Sequence, residues 1–454
     1  MRIVIGGAGE VGRHLAGMLS QQSHDVVLID ERQDPLVQAE EGLDVQVLSG
    51  DLASRRVLAR AGAGGADAFI AVTGSDDANV LGAALARSMG AGVAVARVDQ
   101  PSFYEGDGPA EHGLLGIDHL LCSTRLTAAE LLTLMASADT AHVRGFCAGS
   151  VQVALWTVAE GHPARGNAPQ DLSLPRRVVV GGVARDGFLR PPEGAPRLEP
   201  GDTLLLAGPP DGIAEAFVRI GGLARGRRHV VVGGGEIGAI LADTLSRRGQ
   251  RAEVVEPDRR RCDALAADLP KVSVLRGDPT DLSFLRDIRF HEADSVVAVT
   301  QHEEVNLLTT LLVRQLDREA HLAVPHTYVS VHRHGYADLC RRIGIEGTAS
   351  SFEVLSRAIL EAIEPPGVVA RHDLPGLAWI VAHLRTAPAL REATLADVAL
   401  PPGATALAVS RREQVLTPRP SLALQGSDEI IVVCPPRDLA AVERALRDLA
   451  RRDR

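Results

Sequence analysis

Lysine is almost missing from this chain: of its 48 Lys and Arg residues, Lys271 is the one lysine. Alongside abundant Ala and Gly, this reads as a compositional bias, not a functional signal. Cysteine is sparse too. The five, Cys122, Cys147, Cys262, Cys340 and Cys434, are odd in number and form no C-x-x-C. That argues against a disulfide framework or a zinc ribbon and for a reduced, cytosolic chain. No uncharged run reaches the roughly 18 residues a spanning helix needs. Residues 145–159 are among the longest and are interrupted by Gln and Ser. The chain is therefore not expected to form a pore or carrier by itself. The start, Met1-Arg2 followed by an apolar strand and a glycine loop, lacks the layout of a signal peptide. Excess positive charge is lacking as well: 58 Asp and Glu give a net charge of −10. A general nucleic-acid binder is not expected.

What is present is a foldable chain. Apolar residues make up 45% of 454, enough to bury cores and to exclude global disorder. At about 150 residues per domain, the length suggests three domains, or four small ones.

The chain is written twice. Gly7, Gly9 and Gly12 recur as Gly233, Gly235 and Gly238, and Asp30 recurs as Glu256, each 226 positions later. Gly50-Asp51 recurs as Gly277-Asp278, and Thr73 and Asn79 as Thr300 and Asn306, 227 positions later. Asp202 and Pro209-Pro210 return as Asp428 and Pro435-Pro436 at 226. An offset held over a whole half marks a tandem duplication.

The first unit of each half alternates apolar strands with helices of 10–15 residues. Strands are expected at 2–5, 25–30, 45–48, 68–73 and 92–98, and again at 229–232, 252–256, 272–275, 295–300 and 327–331. Helices are expected at 11–20 and 353–364. That pattern implies right-handed β-α-β units and parallel, Rossmann-like α/β sheets. The second unit of each half is a small α+β module of about 80 residues, with β segments at 151–159, 178–183 and 203–207 and a helix at 209–220. The expected domains are 1–140, 141–222, 227–364 and 367–450, with a basic hinge at 221–228 between the halves.

Two glycine loops carry the chemistry. Gly7-Ala8-Gly9-Glu10-Val11-Gly12 and Gly233-Gly234-Gly235-Glu236-Ile237-Gly238 each follow a strand and open a helix. The first glycine permits the tight turn, the second lets the backbone approach a pyrophosphate, and the third lets helix and strand pack closely. Free N–H groups at the helix start face the anion. Asp30 and Glu256 each lie 23 residues after the first glycine of their loop. At that place a carboxylate accepts hydrogen bonds from ribose hydroxyls and repels a 2′-phosphate, which favours NAD(H) over NADP(H). Asp51 and Asp278 end the third strands; Thr73, Gly74 and Thr300 end the fourth, where ligands sit beyond strand carboxyl ends. Helix capping is the competing role for these polar residues. Arg97 follows the fifth-strand core VAVARV and is a candidate phosphate contact. The same register in the second copy, YVSVHRH, holds Ser330. The second site is thus expected to be weaker. His321, His326, His332 and His334 are most simply a polar rim, and no metal site or catalytic set is expected.

The two loops, the segments VTGSDDANV (72–80) and VTQHEEVNL (299–307), the segment GIDHLL (116–121) and the duplicated domain order resemble the TrkA family of Trk-system potassium uptake proteins of bacteria and archaea. The resemblance covers essentially the whole chain. It implies two tandem regulator-of-potassium-conductance units, each a nucleotide-binding Rossmann domain followed by a small C-terminal domain. It implies NAD(H) as ligand, with ATP or ADP in relatives. It further implies a cytoplasmic protein, peripheral on the inner face of the cell membrane, that gates a membrane potassium-translocating subunit of the Trk type. Assembly into a ring, with four chains supplying eight units, comes with it. Pro101–His112, Gly- and Pro-rich and acidic where a helix is expected, departs from the pattern. The alternatives are an NAD-dependent oxidoreductase and a nucleotide-sensing regulator of another transporter. The first needs a proton donor near the hydride and a substrate domain, and neither is evident.

Overall fold

A computed structural model describes residues 1–103, 114–137, 141–192, 195, 197–220, 226–320, 326–333, 335–343, 345, 347–388, 390, 393–412 and 414–452. Chain contacts divide it into two compact units. One comprises Met1–Thr127, Ser330–Ile343 and Ala349–Glu364; the other comprises Ala128–Val329, Gly344–Thr348 and Pro365–Arg454. The expected hinge at 221–228 and the segment 101–112 fall mostly outside the described residues.

The first sheet has strands β1 (Arg2–Gly6), β2 (Asp25–Asp30), β3 (Gln46–Ser49), β4 (Ala68–Ala71), β5 (Val93–Val98) and β6 (His119–Cys122). Their order is β3-β2-β1-β4-β5-β6, and the ladders are parallel. Such a sheet is covered on both faces, so its strands read as unbroken apolar runs. Alternate residues go to opposite sides. Ile3, Ile5, Val26, Leu28, Ile70 and Val95 pack on one face with Leu15 and Leu19 of the helix Glu10–Gln21. Val4, Val27, Ile29, Phe69 and Ala94 pack on the other with Leu58 of Arg55–Ala61 and Val80 and Ala83 of Asp76–Met89.

The first face also receives a helix coded in the second half. Ser351–Ile363 buries Leu355, Ile359 and Ile363 in that same cluster. Phe352 meets His14 edge-on, with ring centroids 4.8 Å apart, and Ser351 Oγ accepts a 2.9 Å hydrogen bond from Thr127. The helix was expected within 227–364. Its amphipathic pattern shows that it must pack, but not against which sheet.

The first small module is an antiparallel sheet of β7 (Ala141–Phe146), β8 (Val151–Thr157), β9 (Val179–Arg185), β10 (Phe188–Arg190) and β11 (Thr203–Gly208), ordered β10-β9-β11-β8-β7. The second Rossmann-like sheet has β12 (Arg228–Val232), β13 (Arg251–Glu256), β14 (Ser273–Arg276), β15 (Ser295–Ala298), β16 (His326–Val331) and β17 (Gly347–Ser350), ordered β14-β13-β12-β15-β16-β17. The second module has β18 (Gly367–Asp373), β19 (Ile380–Arg385), β21 (Thr405–Arg411), β22 (Gln414–Leu416) and β24 (Glu429–Cys434), ordered β18-β19-β24-β21-β22, beside the ribbon of β20 (Ala393–Thr394) and β23 (Ala423–Leu424). Each half thus repeats the same strand order in both of its sheets.

The modules' own helices cover one face of each small sheet. Ile213 and Phe217 of Pro210–Arg219 lie on the first, and Val442, Leu446 and Leu449 of Leu439–Arg452 on the second. The remaining faces pack together through Val153, Leu155, Leu205 and Ala207 against Val381, Leu407, Ile431 and Val433.

Candidate functional site

In both Rossmann-like domains the strand order reverses between the first and fourth strands, where open α/β sheets bind ligands beyond the strand carboxyl ends. The glycine loops stand there, and each glycine shows its reason. Gly7 and Gly233 have φ of +106° and +109°, a region L side chains rarely occupy. A Cβ on Gly12 would lie 1.8 Å from the Gly7 carbonyl oxygen, and one on Gly238 1.9 Å from that of Gly233. A Cβ on Gly9 or Gly235 would meet nothing within 4 Å. Those two positions are the N-caps of Glu10–Gln21 and Glu236–Arg247, and no side chain caps either helix. Elsewhere Ser75 and Asp258 do cap, accepting from Ala78 N–H and Arg261 N–H. The N-cap residues of the two loop helices thus offer no side-chain acceptor to the first turn.

The carboxylates at the second-strand ends support the loops. Asp30 Oδ2 accepts from Ala8 N–H at 2.7 Å and Oδ1 from Arg32 N–H at 2.9 Å. Glu256 repeats this, with Oε2 on Gly234 N–H at 2.8 Å and Oε1 on Asp258 N–H at 2.9 Å. Burial pushes the Asp30 carboxyl up, but the hydrogen bonds from Arg32 and Ala8 and the Arg32 charge outweigh it, leaving the group below its ordinary value. It stays anionic at neutral pH, and the Arg32 guanidinium lies against both of its oxygens, Nε 3.3 Å from Oδ1 and Nη2 3.5 Å from Oδ2.

Thr73 and Thr300 are clamped by the duplicated asparagines. Asn79 is fully buried. Its Oδ1 accepts from Thr73 N–H at 2.8 Å and Oγ1–H at 2.7 Å, while its Nδ2 donates to the carbonyls of Thr73 and Arg97 at 3.0 Å. Asn306 holds Thr300 N–H and Oγ1–H at 2.8 and 2.7 Å. These threonines shape the turn after the fourth strand, and their hydroxyl protons are committed. Asp51 and Asp278 accept from the backbone N–H two residues on, Ala53 at 2.7 Å and Thr280 at 2.8 Å. Gly74 has open space where a Cβ would stand.

Arg97, near the end of β5, is held by Asp99. Nη2 lies 2.6 Å from Oδ2 and Nε 3.2 Å from Oδ1. Ser330, in the matching register, is fully buried on β16. A basic residue outside the motif register stands at the second loop: Arg261, whose Nε donates to the Gly234 carbonyl and whose Nη2 lies 3.5 Å from Glu236. The helix cap at Asp258 positions it, and no counterpart at 226 positions' remove exists, because residue 35 is a proline. In β14, Arg276 also stands in register beside Glu256, where the first half has Ser49 beside Asp30.

His321 and His334 lie outside the described residues. Among the described residues, His326 and His332 belong to no group of metal-capable side chains.

Each half therefore carries a dinucleotide-type Rossmann domain followed by a small α+β domain. The TrkA-N domain model matches residues 3–120 and 229–351, and the TrkA-C domain model matches 153–221 and 388–447. The chain belongs to the TrkA family of Trk-system potassium uptake proteins. It is 31% identical to the Trk system potassium uptake protein TrkA homolog of Archaeoglobus fulgidus, over 98% of this chain and 100% of that one. It is 26% identical to the Trk system potassium uptake protein TrkA of Vibrio alginolyticus, over 95% of each. Among solved structures, the GsuK RCK domain superposes with a TM-score of 0.57 at 21% identity, covering 98% of this chain and 95% of that one. The GsuK channel bound to NAD does so with 0.55 at 20%, covering 98% and 79%. At those identities the likeness is one of fold. Among the described residues no helix is long and apolar enough to cross a membrane.

Proposed function

We propose that this chain, as a regulatory subunit of a potassium-uptake system, binds NAD(H) in the crevice at Gly7–Gly12 and a second nucleotide at Gly233–Gly238, and so gates a membrane potassium-translocating subunit. The observation that carries the reading is the pair of side-chain-uncapped helix N-termini on glycine loops, each beside a supported carboxylate. Gly9 and Gly235 leave room for a pyrophosphate, and the helix starts offer it N–H donors. Asp30 and Glu256 accept from the adenosine ribose. ATP or ADP satisfies the same donors through its phosphates. The GsuK channel in its NAD-bound and ADP-bound forms fits both choices of ligand for this fold.

Regulation follows from differential affinity. A nucleotide shifts the protein between two conformations only by as much as it prefers one of them. In the first domain the path out of the site is short: Arg97 holds Asp99, and Asp99 accepts from Ser123 Oγ at the start of the helix Ser123–Ser137. A ligand that draws Arg97 away from Asp99 acts on the first turn of that helix. Four chains closing a ring of eight units, peripheral on the inner membrane face, is the proposed assembly; rotational assemblies close by repeating one interface.

The experiment is co-purification of the chain with a Trk-type membrane potassium subunit, followed by potassium flux in vesicles with and without NADH or ATP. Nucleotide-dependent flux that disappears with Gly9→Asp is expected. Flux indifferent to nucleotide and to that substitution would overturn the reading, and hydride transfer to an added substrate would favour the oxidoreductase instead.

A further inference from the structure

Between the two small sheets lies a set of polar side chains that the nucleotide sites do not use. On β19, Ile380, Ala382 and Leu384 face the module's own helix, while Val381 faces the opposing sheet. Strand alternation therefore sends His383 and Arg385 into the layer between the sheets. On β24 the same parity sends Glu429 there with Ile431 and Val433. Cys147 enters the layer from the other module, directly after β7.

The three candidate ligand atoms converge. Cys147 Sγ lies 3.6 Å from His383 Nε2, and His383 Nε2 lies 3.2 Å from Glu429 Oε1. One ligand atom from each residue fits within 4.8 Å of the others. Thiolate, imidazole and carboxylate bound tetrahedrally to one zinc ion at ~2.0–2.3 Å stand about 3.3–3.6 Å apart. The Cys147–His383 and His383–Glu429 spacings are close to those values, and the Cys147 and Glu429 ligand atoms lie no more than 4.8 Å apart.

His383 is 1% exposed, and its Nε2 faces both Cys147 Sγ and Glu429 Oε1. Cys147 and Ala148 both have positive φ, +53° and +52°. Non-glycine residues rarely occupy that region, and the turn they form follows β7 directly. Arg385 Nη2 donates to Glu429 Oε1 at 3.1 Å, orienting the carboxylate from behind. The Glu429 side chain is 20% exposed, which gives an ion a way in.

We propose that Cys147, His383 and Glu429 form a binding site for a borderline-soft divalent transition-metal cation, with Zn2+ as the probe, joining the C-terminal module of the first half to that of the second. On binding, the Cys147 Sγ–H proton leaves to solvent and an S–metal bond forms; no electron is transferred. Thiolate and imidazole select against Mg2+ and Ca2+, which take oxygen ligands. The site stands independently of the nucleotide reading, since none of its residues lies near a glycine loop.

The test is titration of the full-length, metal-stripped chain with Co2+, then displacement by Zn2+. One saturable equivalent per chain is expected, with a thiolate-to-cobalt charge-transfer band that Zn2+ abolishes and excess Mg2+ leaves unchanged. Cys147→Ser removes the band, His383→Gln weakens binding at least tenfold, and Cys262→Ser, remote from the cluster, changes neither. Should a buried variant fail to fold, the wild-type titration and the surface-reaching Glu429→Gln, again at least tenfold weaker, decide alone. No saturable binding by the wild-type chain, no charge-transfer band, or a band that survives Cys147→Ser overturns the proposal.

Discussion

Arg97 and Asp99 stand two residues apart and grip each other, Nη2 to Oδ2 at 2.6 Å and Nη2 to Oδ1 at 2.9 Å. The Arg97 guanidinium is thus neutralised by its own neighbour. On the proposed reading, a phosphate that meets Arg97 competes with a carboxylate already in place.

Releasing Arg97 should therefore tighten binding. Asp99→Asn is expected to raise nucleotide affinity several-fold, and Arg97→Ala to lower it about tenfold, the value of a charge-assisted contact of ~1.5 kcal/mol. In the Arg97→Ala background, Asp99→Asn should have no further effect, since the competition is gone. Calorimetry on the four members of this cycle reads the coupling directly. Additive effects would show that Arg97 does not meet the ligand.

The two roles of loop glycines separate by mutation. Gly12→Ala puts a methyl 1.8 Å from the Gly7 carbonyl oxygen, an overlap that forces helix and strand apart and costs about 1–3 kcal/mol or more. Gly9→Ala puts its methyl into open space and should leave the fold unchanged. With NADH the ranking changes: Gly9→Ala loses the ligand-induced rise in melting temperature, because the methyl stands where the pyrophosphate would lie. Thermal melts of both variants with and without NADH test this. Equal stabilisation of Gly9→Ala and the natural chain by NADH would remove the loop from the site.

How much of this was legible in the sequence depended on distance along the chain. The strand 25–30 was readable at its observed bounds because DVVLID is a buried apolar run closed by an acid. β7, AHVRGF, was not expected as a strand: His142, Arg144 and Gly145 break its apolar pattern, and its order comes from pairing with β8. The clamps of Asn79 on Thr73 and Asn306 on Thr300 span six residues and left a duplicated trace. Cys147 and His383 stand 236 residues apart, so no local spacing could announce them. Arg261 was invisible for another reason. It compensates at the second loop from outside the duplicated register, and a repeat comparison finds only what stayed in place.

The small modules carry a duplicated ion pair with a pH signature. Arg185 grips Asp202 through Nε and Nη2 at 2.7 Å each, and Arg411 grips Asp428 at 2.8 Å each, 226 positions on. Asp202 is 2% exposed. Burial raises its carboxyl, but the Arg185 bond and the Glu199 N–H outweigh that and hold it below its ordinary value. A depressed folded pKa adds stability that is present above the unfolded value, about 3.9, and lost as pH falls through the folded one. Asp30 and Glu253 are lowered as well and act with the same sign. The melting temperature should hold near neutral pH and drop steeply below about pH 4. Asp202→Asn should cost about 1.5–3 kcal/mol at pH 7, the value of hydrogen bonds to a charged group, since Arg185 stays partly exposed to solvent, and should flatten the acid limb. Melts from pH 3 to 7 decide it; an unchanged acid limb in Asp202→Asn would assign the acid sensitivity elsewhere.

The halves should not respond alike. Each loop has its glycines and its carboxylate, yet the basic residues differ in kind. The first half has Arg97 on β5, paired with Asp99. The second has buried Ser330 there, with Arg261 tied to the loop carbonyl of Gly234 and Arg276 beside Glu256. Loss of one charged phosphate contact weakens binding by roughly tenfold or more. With the ribose at Glu256, as proposed, Arg276 in register beside it adds positive charge that an extra phosphate would use. The second site is therefore expected to bind NADH more weakly than the first, and to discriminate less against ligands carrying further phosphate. Gly9→Asp and Gly235→Asp each place a carboxylate where one pyrophosphate would lie, leaving the other loop intact. Titrating NADH into Gly235→Asp should report the stronger site alone, and into Gly9→Asp the weaker. Equal affinities in the two variants would mean that Arg261 fully replaces Arg97 and that the halves are equivalent sensors.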